Sequence, residues 1–324
     1  MGNAVADQAL TGLQNKQAHF SIADLSHYIP EPQFSVRDGV AHLRRQGMTI
    51  TEAQVEAFQR DYGFTQAPFE TELSVEEMIA AACTPLLDRN SLPIQVLMFV
   101  NGGNWGLQHN LFKPLIDKYD TLRGTDIYSI GKQTCASFHM ALRMATHLFD
   151  ASRDEGAILI VAVDKLSVNS HKLTEFYLCG DSASACLLTP YGAGHKTYEV
   201  FNQDGYVYDQ SNVEGVALFN TTFFLGIRGA IQSILKQAKL SLDDVKLIIG
   251  SNVSLKAWET VAYLLRAPLE KFYVKTREVG HLPSSDIQYN LSQAIAEGAL
   301  KQGDYYITIN VGYGGFMGCA LHQY

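Results

Sequence analysis

No apolar run in the 324-residue chain approaches the roughly 20 residues of a membrane-spanning helix, so no span is expected. The opening residues, Met1-Gly-Asn-Ala-Val-Ala-Asp-Gln8, lack the basic start and apolar stretch of a secretory leader. Cysteine is scarce and unpatterned: there are five, an odd number, with no CxxC pair. Such spacing suits a reduced cytoplasmic interior and offers neither a disulfide framework nor a zinc site. Basic residues are outnumbered, with Lys and Arg totalling 25 against 33 for Asp and Glu, a formal net charge of −8. Nucleic acid is therefore not expected as a partner. The local basic groups Arg37/Arg44/Arg45 and Lys271/Lys275/Arg277 read as solvated faces. No metal or resident cofactor is expected.

What is present is an ordinary globular composition, 47% hydrophobic and 18% charged. The length admits two domains or one duplicated domain. Residues 1–19 read as an N-terminal extension, after which Phe20 to Pro30 opens as a strand. A Thr N-cap pattern predicts a helix over 49–63, and the capping box Ser74…Glu77 predicts another that leads into the strand Ile94–Val100. A strand over 126–130, a helix from Cys135 to Phe149, and strands at 157–163 and after Gly180-Asp181 follow.

The second half repeats this order. Strands are predicted near 197–202, 245–249, 272–275, 305–311 and 318–322, with helices over 222–238, 255–265 and 284–297. Continuous apolar strands alternating with helices imply an α/β fold whose sheets are covered on both faces. Two halves of similar order, 20–191 and 192–324, imply a duplication. Its paired helices, at Cys135 and at Ser285/Asp286, would stack between the sheets.

Cys135 carries the chemistry of the first half. It lies where the strand 126–130 hands over to a helix, and unpaired N–H groups at a helix start favour the nucleophilic thiolate. Taken alone it also fits a small buried hydrophobe. The remaining cysteines, 83, 179, 186 and 319, sit in apolar contexts and read as core.

Three segments in order then carry a resemblance: Cys135-Ala-Ser-Phe-His-Met-Ala-Leu142, Gly180-Asp181-Ser-Ala, and Gly312-Tyr-Gly-Gly-Phe-Met-Gly318-Cys-Ala-Leu321. Over residues 20–324 the chain resembles the thiolase-fold condensing enzymes, within them the β-ketoacyl-acyl carrier protein synthase III group. The resemblance implies a five-layered αβαβα fold of two pseudo-equivalent halves and a homodimer. It implies an acyl-CoA or acyl carrier protein thioester as substrate, with no other cofactor. Family members use a Cys-His-Asn triad, and here the chain departs from the pattern. The histidine segment reads Gly250-Ser251-Asn252-Val-Ser254, so Ser251 stands where the imidazole is expected. The asparagine segment reads Gly280-His281-Leu-Pro, with Asp286 five residues after the histidine. A branch of the family that acylates small molecules shares this Cys, His and Asp arrangement.

These substitutions direct the functional expectation. Decarboxylative condensation needs two preorganised donors on a developing enolate, and Ser251 is short for that work. Asn252 offers an amide donor as a secondary candidate. The favoured reading is an acyltransferase of specialised metabolism. Cys135 carries the acyl group, His281 is the general base on a heteroatom nucleophile of a small-molecule or carrier-bound acceptor, and Asp286 fixes the imidazole tautomer. The oxyanion hole implied by the resemblance is the N–H of Cys135 with that of Gly314, and Lys256 is the implied docking residue for the carrier protein or CoA phosphates.

Plainer readings stand beside these. Asp286 also fits a charge complementing a helix dipole, Lys256 an exposed lysine, and His139 a rival partner one turn after Cys135. Trp105, His109, Phe138 and Phe223/Phe224 are candidate pocket walls. A carbon–carbon condensing enzyme using Cys135 with His281, and a non-catalytic ketosynthase-like partner subunit, are the alternative functions.

Overall fold

In the computed structural model, residues 18–31, 33–45, 47–101, 110–151, 156–165, 177–190, 194–203, 213–312 and 314–324 are described. Strand β1 (Phe20–Tyr28) is followed by a small lobe. Its ribbon, β2 (Gln33–Ser35) paired with β3 (Gln66–Pro68), brackets helices α1 (Val36–Arg45) and α2 (Glu52–Asp61). The chain continues through α3 (Val75–Arg89), β4 (Ile94–Val100), α4 (Lys113–Lys118) and β5 (Asp126–Ile130). Helix α5 (Ser137–Ala151) and strands β6 (Ala157–Asp164) and β7 (Ser182–Thr189) complete this half. After β8 (His195–Gln203) come α6 (Val213–Ala238), β9 (Val245–Gly250), α7 (Leu255–Leu265) and β10 (Phe272–Tyr273). Helices α8 (Thr276–Val279) and α9 (Asp286–Ala296) and strands β11 (Tyr305–Gly312) and β12 (Phe316–Gln323) close the chain.

Ten strands are hydrogen-bonded in the order β10-β9-β11-β12-β8-β1-β7-β6-β4-β5. Outward from the β1/β8 contact, both arms follow one plan: the first strand of the half, then its fifth, fourth, second and third. Pairing directions repeat as well. β4 is parallel to β5 and β6 while β7 is antiparallel to β6 and β1, and β9, β10, β11, β12 and β8 follow suit.

Strand alternation then dictates the layers. In β6, Ile158, Ile160 and Ala162 face a central core while Leu159, Val161 and Val163 face an outer one. The central core holds α5 through Phe138, Leu142 and Ala145 and α9 through Ile287, Leu291 and Ala294, with strand residues of both arms on either side. Outside one arm lies α3, and outside the other lie α6 and α7, Trp258 among them. The result is the α-β-α-β-α layering expected of the thiolase-like fold. Both faces of each sheet arm are covered, which is why every residue of β6, β7 and β11 is buried, the polar ones of β7 and β11 included.

Local signals place the helices. Thr51 and Ser74 are N-caps of full capping boxes, with Gln54 and Glu77 as the returning side chains. Three expectations shift. Helix α6 begins at Val213 rather than near 222, β10 is only Phe272–Tyr273, and α9 begins at Asp286 rather than 284. The small lobe's α1 was not anticipated; Val36, Val40 and Leu43 join Val55, Phe58 and Phe64 in a separate core there. No helix among the described residues is long and apolar enough to cross a membrane.

Candidate active site

The nucleophile position is built where two chain segments meet. A 3-10 turn, Thr134–Ala136, links the end of β5 to α5, so Cys135 sits just ahead of the helix. Thr134 adopts φ 49°, a left-handed conformation that costs a non-glycine residue about 1–2 kcal/mol. Against this turn presses the end of β11: a Cβ on Gly312 would stand 2.1 Å from the Gln133 carbonyl oxygen. The next turn carries Gly314 and Gly315 at φ +90° and +88° and is closed by the Gly315 N–H on the Gly312 carbonyl. The proposed second oxyanion donor, Gly314, therefore lies two residues beyond the one that abuts the Cys135 turn.

His281 is clamped by main chain on both sides. Its N–H donates to Leu178 O at 2.8 Å and its carbonyl accepts from the Gly180 N–H at 2.8 Å, forming a short parallel bridge with Cys179. This brings the imidazole Nε2 to 3.2 Å from Cys135 Sγ and Nδ1 to 2.6 Å from Asp286 Oδ2. Sequence separations of 146 and 5 residues collapse into one contiguous array. Asp286, the first residue of α9, also accepts the Leu282 N–H on Oδ1 and the Asn252 N–H on Oδ2, both at 2.7 Å. His281 and Asp286 are only 2% and 0% exposed, whereas Cys135 is half-buried.

Burial opposes a charged imidazole, but the Asp286 carboxylate and then the Cys135 sulfur outweigh it electrostatically. His281 is thereby held well above its ordinary pKa. The Tyr177 ring flanks the imidazole, its centroid 5.3 Å away. The arrangement has the parts of a nucleophile, a base and an orienting carboxylate in series.

Other candidates fall elsewhere. Ser251 donates to Asn310 Oδ1 on β11, and its carbonyl accepts from Trp258 Nε1 at 2.9 Å, so its hydroxyl is spent on the core. Asn252 reaches the array through its backbone N–H, while its side-chain oxygen accepts from Lys275 N at 2.7 Å and Asn290 Nδ2 at 2.8 Å. The side chain of Asn252 is thus turned to Lys275 and Asn290 rather than offered as a donor beside Cys135, and what reaches the array is its N–H on Asp286. His139 is fully buried, its Nε2 meets Thr308 Oγ1 at 2.9 Å, and burial pushes its pKa down to about 3.

Asp286 is more than a dipole complement, since the imidazole pairs with it. Lys256 is exposed in the first turn of α7, where its charge acts on Asp61. Phe138 is packed in the central core, and Phe223 and Phe224 lie against the core beneath α6, so none of the three is an open wall. Trp105 and His109 lie outside the described residues. Cys83, Cys179, Cys186 and Cys319 are buried, as expected of core cysteines.

Of the basic groups, Arg37, Arg44, Arg45 and Arg277 are exposed as expected of solvated faces, whereas Lys275 is largely buried. Arg37 and Arg44 share Glu52, and Lys275 bridges to Glu297 at 2.7 Å. Sequence reading missed Tyr177, Asn290 and Asn310. Asn290 had a signal available: it follows Asp286 by one helical turn on a face otherwise made of Ile287, Leu291 and Ala294.

Two family profiles match the chain, and together they cover about half of it. One, described as 3-oxoacyl-[acyl-carrier-protein] synthase III, spans residues 131–205, and its C-terminal counterpart spans residues 235–324. The chain is 27% identical over 213 residues to a β-ketoacyl-[acyl-carrier-protein] synthase III of Clostridium perfringens, covering 58% of this chain and 65% of that enzyme. It thus spans slightly less than two thirds of the length of the first curated relatives it matches.

Among solved structures, the synthase III of Aquifex aeolicus superposes with a TM-score of 0.78 at 18% identity, over 94% of this chain and all of the other. ChlB3, described as an acyltransferase, gives 0.78 at 19% identity, over 94% and 97%. At those identities the structural likeness speaks for the fold. One profile holds the Cys135 turn and the other holds His281 and Asp286, on a fold repeated in both arms; the chain belongs to the thiolase-fold, β-ketoacyl-acyl carrier protein synthase III-like group.

Proposed function

We propose that the chain is an acyltransferase. It moves an acyl group from a CoA or acyl carrier protein thioester through an acyl-Cys135 intermediate to a heteroatom of a small-molecule or carrier-bound acceptor, in specialised metabolism. The observation that carries this reading is His281, placed 3.2 Å from the sulfur and 2.6 Å from Asp286, while Ser251 bonds to Asn310. A family condensation would need a second donor where Ser251 stands. Loss of one preorganised donor costs about 100- to 1,000-fold in rate.

In the first half-reaction the sulfur attacks the thioester carbonyl. The oxyanion is met by the N–H groups of Cys135 and Gly314, the carbon–sulfur bond to the donor breaks, and His281 gives its proton to the departing thiolate. The acyl thioester of Cys135 carries no charge, so His281 loses one of the two charges that raised its pKa. It then becomes the better base. In the second half-reaction it takes the proton of the acceptor's hydroxyl, amine or thiol as that atom bonds to the acyl carbon, and the Cys135 sulfur leaves. Asp286 holds Nδ1–H throughout and stabilises the imidazolium. Lys256 is the docking residue for the carrier or CoA phosphates in this scheme.

A homodimer is part of the same proposal. Among the described strands β5 pairs only with β4 at the end of the sheet, and its Ile127 and Tyr128 remain 41% and 44% exposed. An edge strand of that kind invites pairing with a second copy about a twofold axis.

The second reading is carbon–carbon condensation by the Cys135 and His281 pair, in keeping with the synthase name borne by the Clostridium perfringens relative. Intact-mass measurement decides between the possibilities. Wild type mixed with acyl-CoAs should gain one acyl mass, and Cys135→Ala should gain none. His281→Ala should retain the adduct when acceptors are added. Release of carbon dioxide from a malonyl donor at a catalytic rate would replace the transferase with the condensing reading. An unloaded wild type would leave the non-catalytic subunit.

A further inference from the structure

We propose that Asn290 is a positioning residue of the candidate triad, holding the Asp286 carboxylate in place through Asn252. The inference rests on the triad reading above. Both residues sit on α9, one turn apart, so the carboxylate and the Asn290 amide belong to one rigid element. The Asn290 amide nitrogen donates to Gly250 O and to Asn252 Oδ1, each at 2.8 Å. These two acceptors flank the turn that leaves β9. That turn returns one donor to α9: the Asn252 N–H, 2.7 Å from Asp286 Oδ2, the same oxygen that His281 Nδ1 meets.

The amide orientations follow from their neighbours. The Lys275 N–H points at the Asn252 side chain at 2.7 Å, so the atom facing it must be the oxygen. Asn290 then faces two acceptors and must present its NH2 group. Only a donor serves at that position, and the residue is fully buried. If the clamp is released, the Asn252 N–H can drift from Asp286, and the carboxylate gains freedom to turn from the imidazole. Among the described residues, the charged or titratable groups against that imidazole are Cys135 from the α5 turn, Asp286 from α9 and Tyr177 from the segment before β7.

The test is the titration of His281, followed by NMR on protein carrying 13C-labelled histidine, with His281→Gln for assignment. Asn290→Leu keeps the volume and removes the donor. The His281 midpoint should fall by one unit or more in it, in the direction of Asp286→Asn. The acceptor-transfer rate should drop at least 10-fold with acceptor KM unchanged. Asn252→Ala, which spares the backbone N–H but removes its anchor, should act in the same direction, and combining it with Asn290→Leu should add little. If a variant fails to fold, Asn252→Ala alone carries the test. An unmoved midpoint in a folded variant overturns the inference. A moved midpoint in a protein that transfers no acyl group upholds it and rejects the transferase reading instead.

Discussion

Gly280 meets the main chain of Leu178 so closely that a Cβ on Gly280 would stand 2.6 Å from the Leu178 carbonyl oxygen. That oxygen accepts the His281 N–H, and Gly280 itself lies at φ +62°. The glycine is therefore what lets the histidine segment dock. Gly280→Ala should combine left-handed strain with a backbone clash and cost about 1–3 kcal/mol. A lowered melting temperature together with slower acyl loading of Cys135 would bear this out. An alanine variant with wild-type stability and loading would contradict it.

The second half-reaction should be limited by the fraction of His281 in its basic form. Its rate, measured by single turnover from preformed acyl-enzyme, should rise with pH through a midpoint below that of His281 in the unacylated protein, because Asp286 alone then supports the imidazolium. Asp286→Asn removes that support and leaves burial, so the limb should move to lower pH while the maximal rate falls about 100-fold or more. Stability has the opposite sign. A raised folded-state pKa contributes stability fully present below about pH 6.5 and lost as pH rises through the folded value. Asp286→Asn should therefore be more destabilising at pH 6 than at pH 9.

A second set of histidines should make the protein acid-labile. His139 Nε2 and His322 Nε2 both meet Thr308 Oγ1, at 2.9 and 3.0 Å, and His195 Nδ1 meets the Tyr306 hydroxyl at 2.9 Å. Burial pushes His139 down to about 3 and His195 to about 4, and holds His322 well below its ordinary value. These side chains are neutral when folded and take up protons when unfolded. Stability is therefore complete above about pH 6.5 and declines below it, by about 2 kcal/mol for His139 alone at pH 5. The melting temperature should drop between pH 7 and pH 5, less steeply in His139→Gln. A flat profile would refute the buried-neutral assignment.

Self-association should depend on the open edge of β5. Ile127→Lys places a charge on that edge, which natural edge strands use to block pairing. Light scattering should give a dimer mass for the wild type and a monomer mass for the variant, with the melt of each protomer otherwise cooperative. A wild-type monomer at micromolar concentration would end the dimer proposal.

Much of this was legible along the chain. Unbroken apolar strands announced covered sheets, capping boxes at Thr51 and Ser74 placed two helix starts, and the repeated order announced a duplication. Cys135, His281 and Asp286 stood out as a nucleophile, base and carboxylate in the right order. Less was legible in the small lobe, where short β2 and β3 pair across more than thirty positions. Nor was the fate of Ser251 legible, because a serine's partner is chosen by whichever polar group the neighbouring strand presents. Here that group is Asn310 on β11.

By itself the sequence determined the alternation that makes the layers and the residue types that can do acyl chemistry, since periodicity and side-chain reactivity are local properties. Only the tertiary structure decided which of them meet. Cys135 reaches His281 across 146 positions because main-chain bonds to Leu178 and Gly180 hold the imidazole over the α5 turn. His139, one turn from the thiol, is instead drawn to Thr308. Buried polar groups must each find a partner, and which partner lies within reach is set by how the elements pack, not by how far apart they stand in the chain.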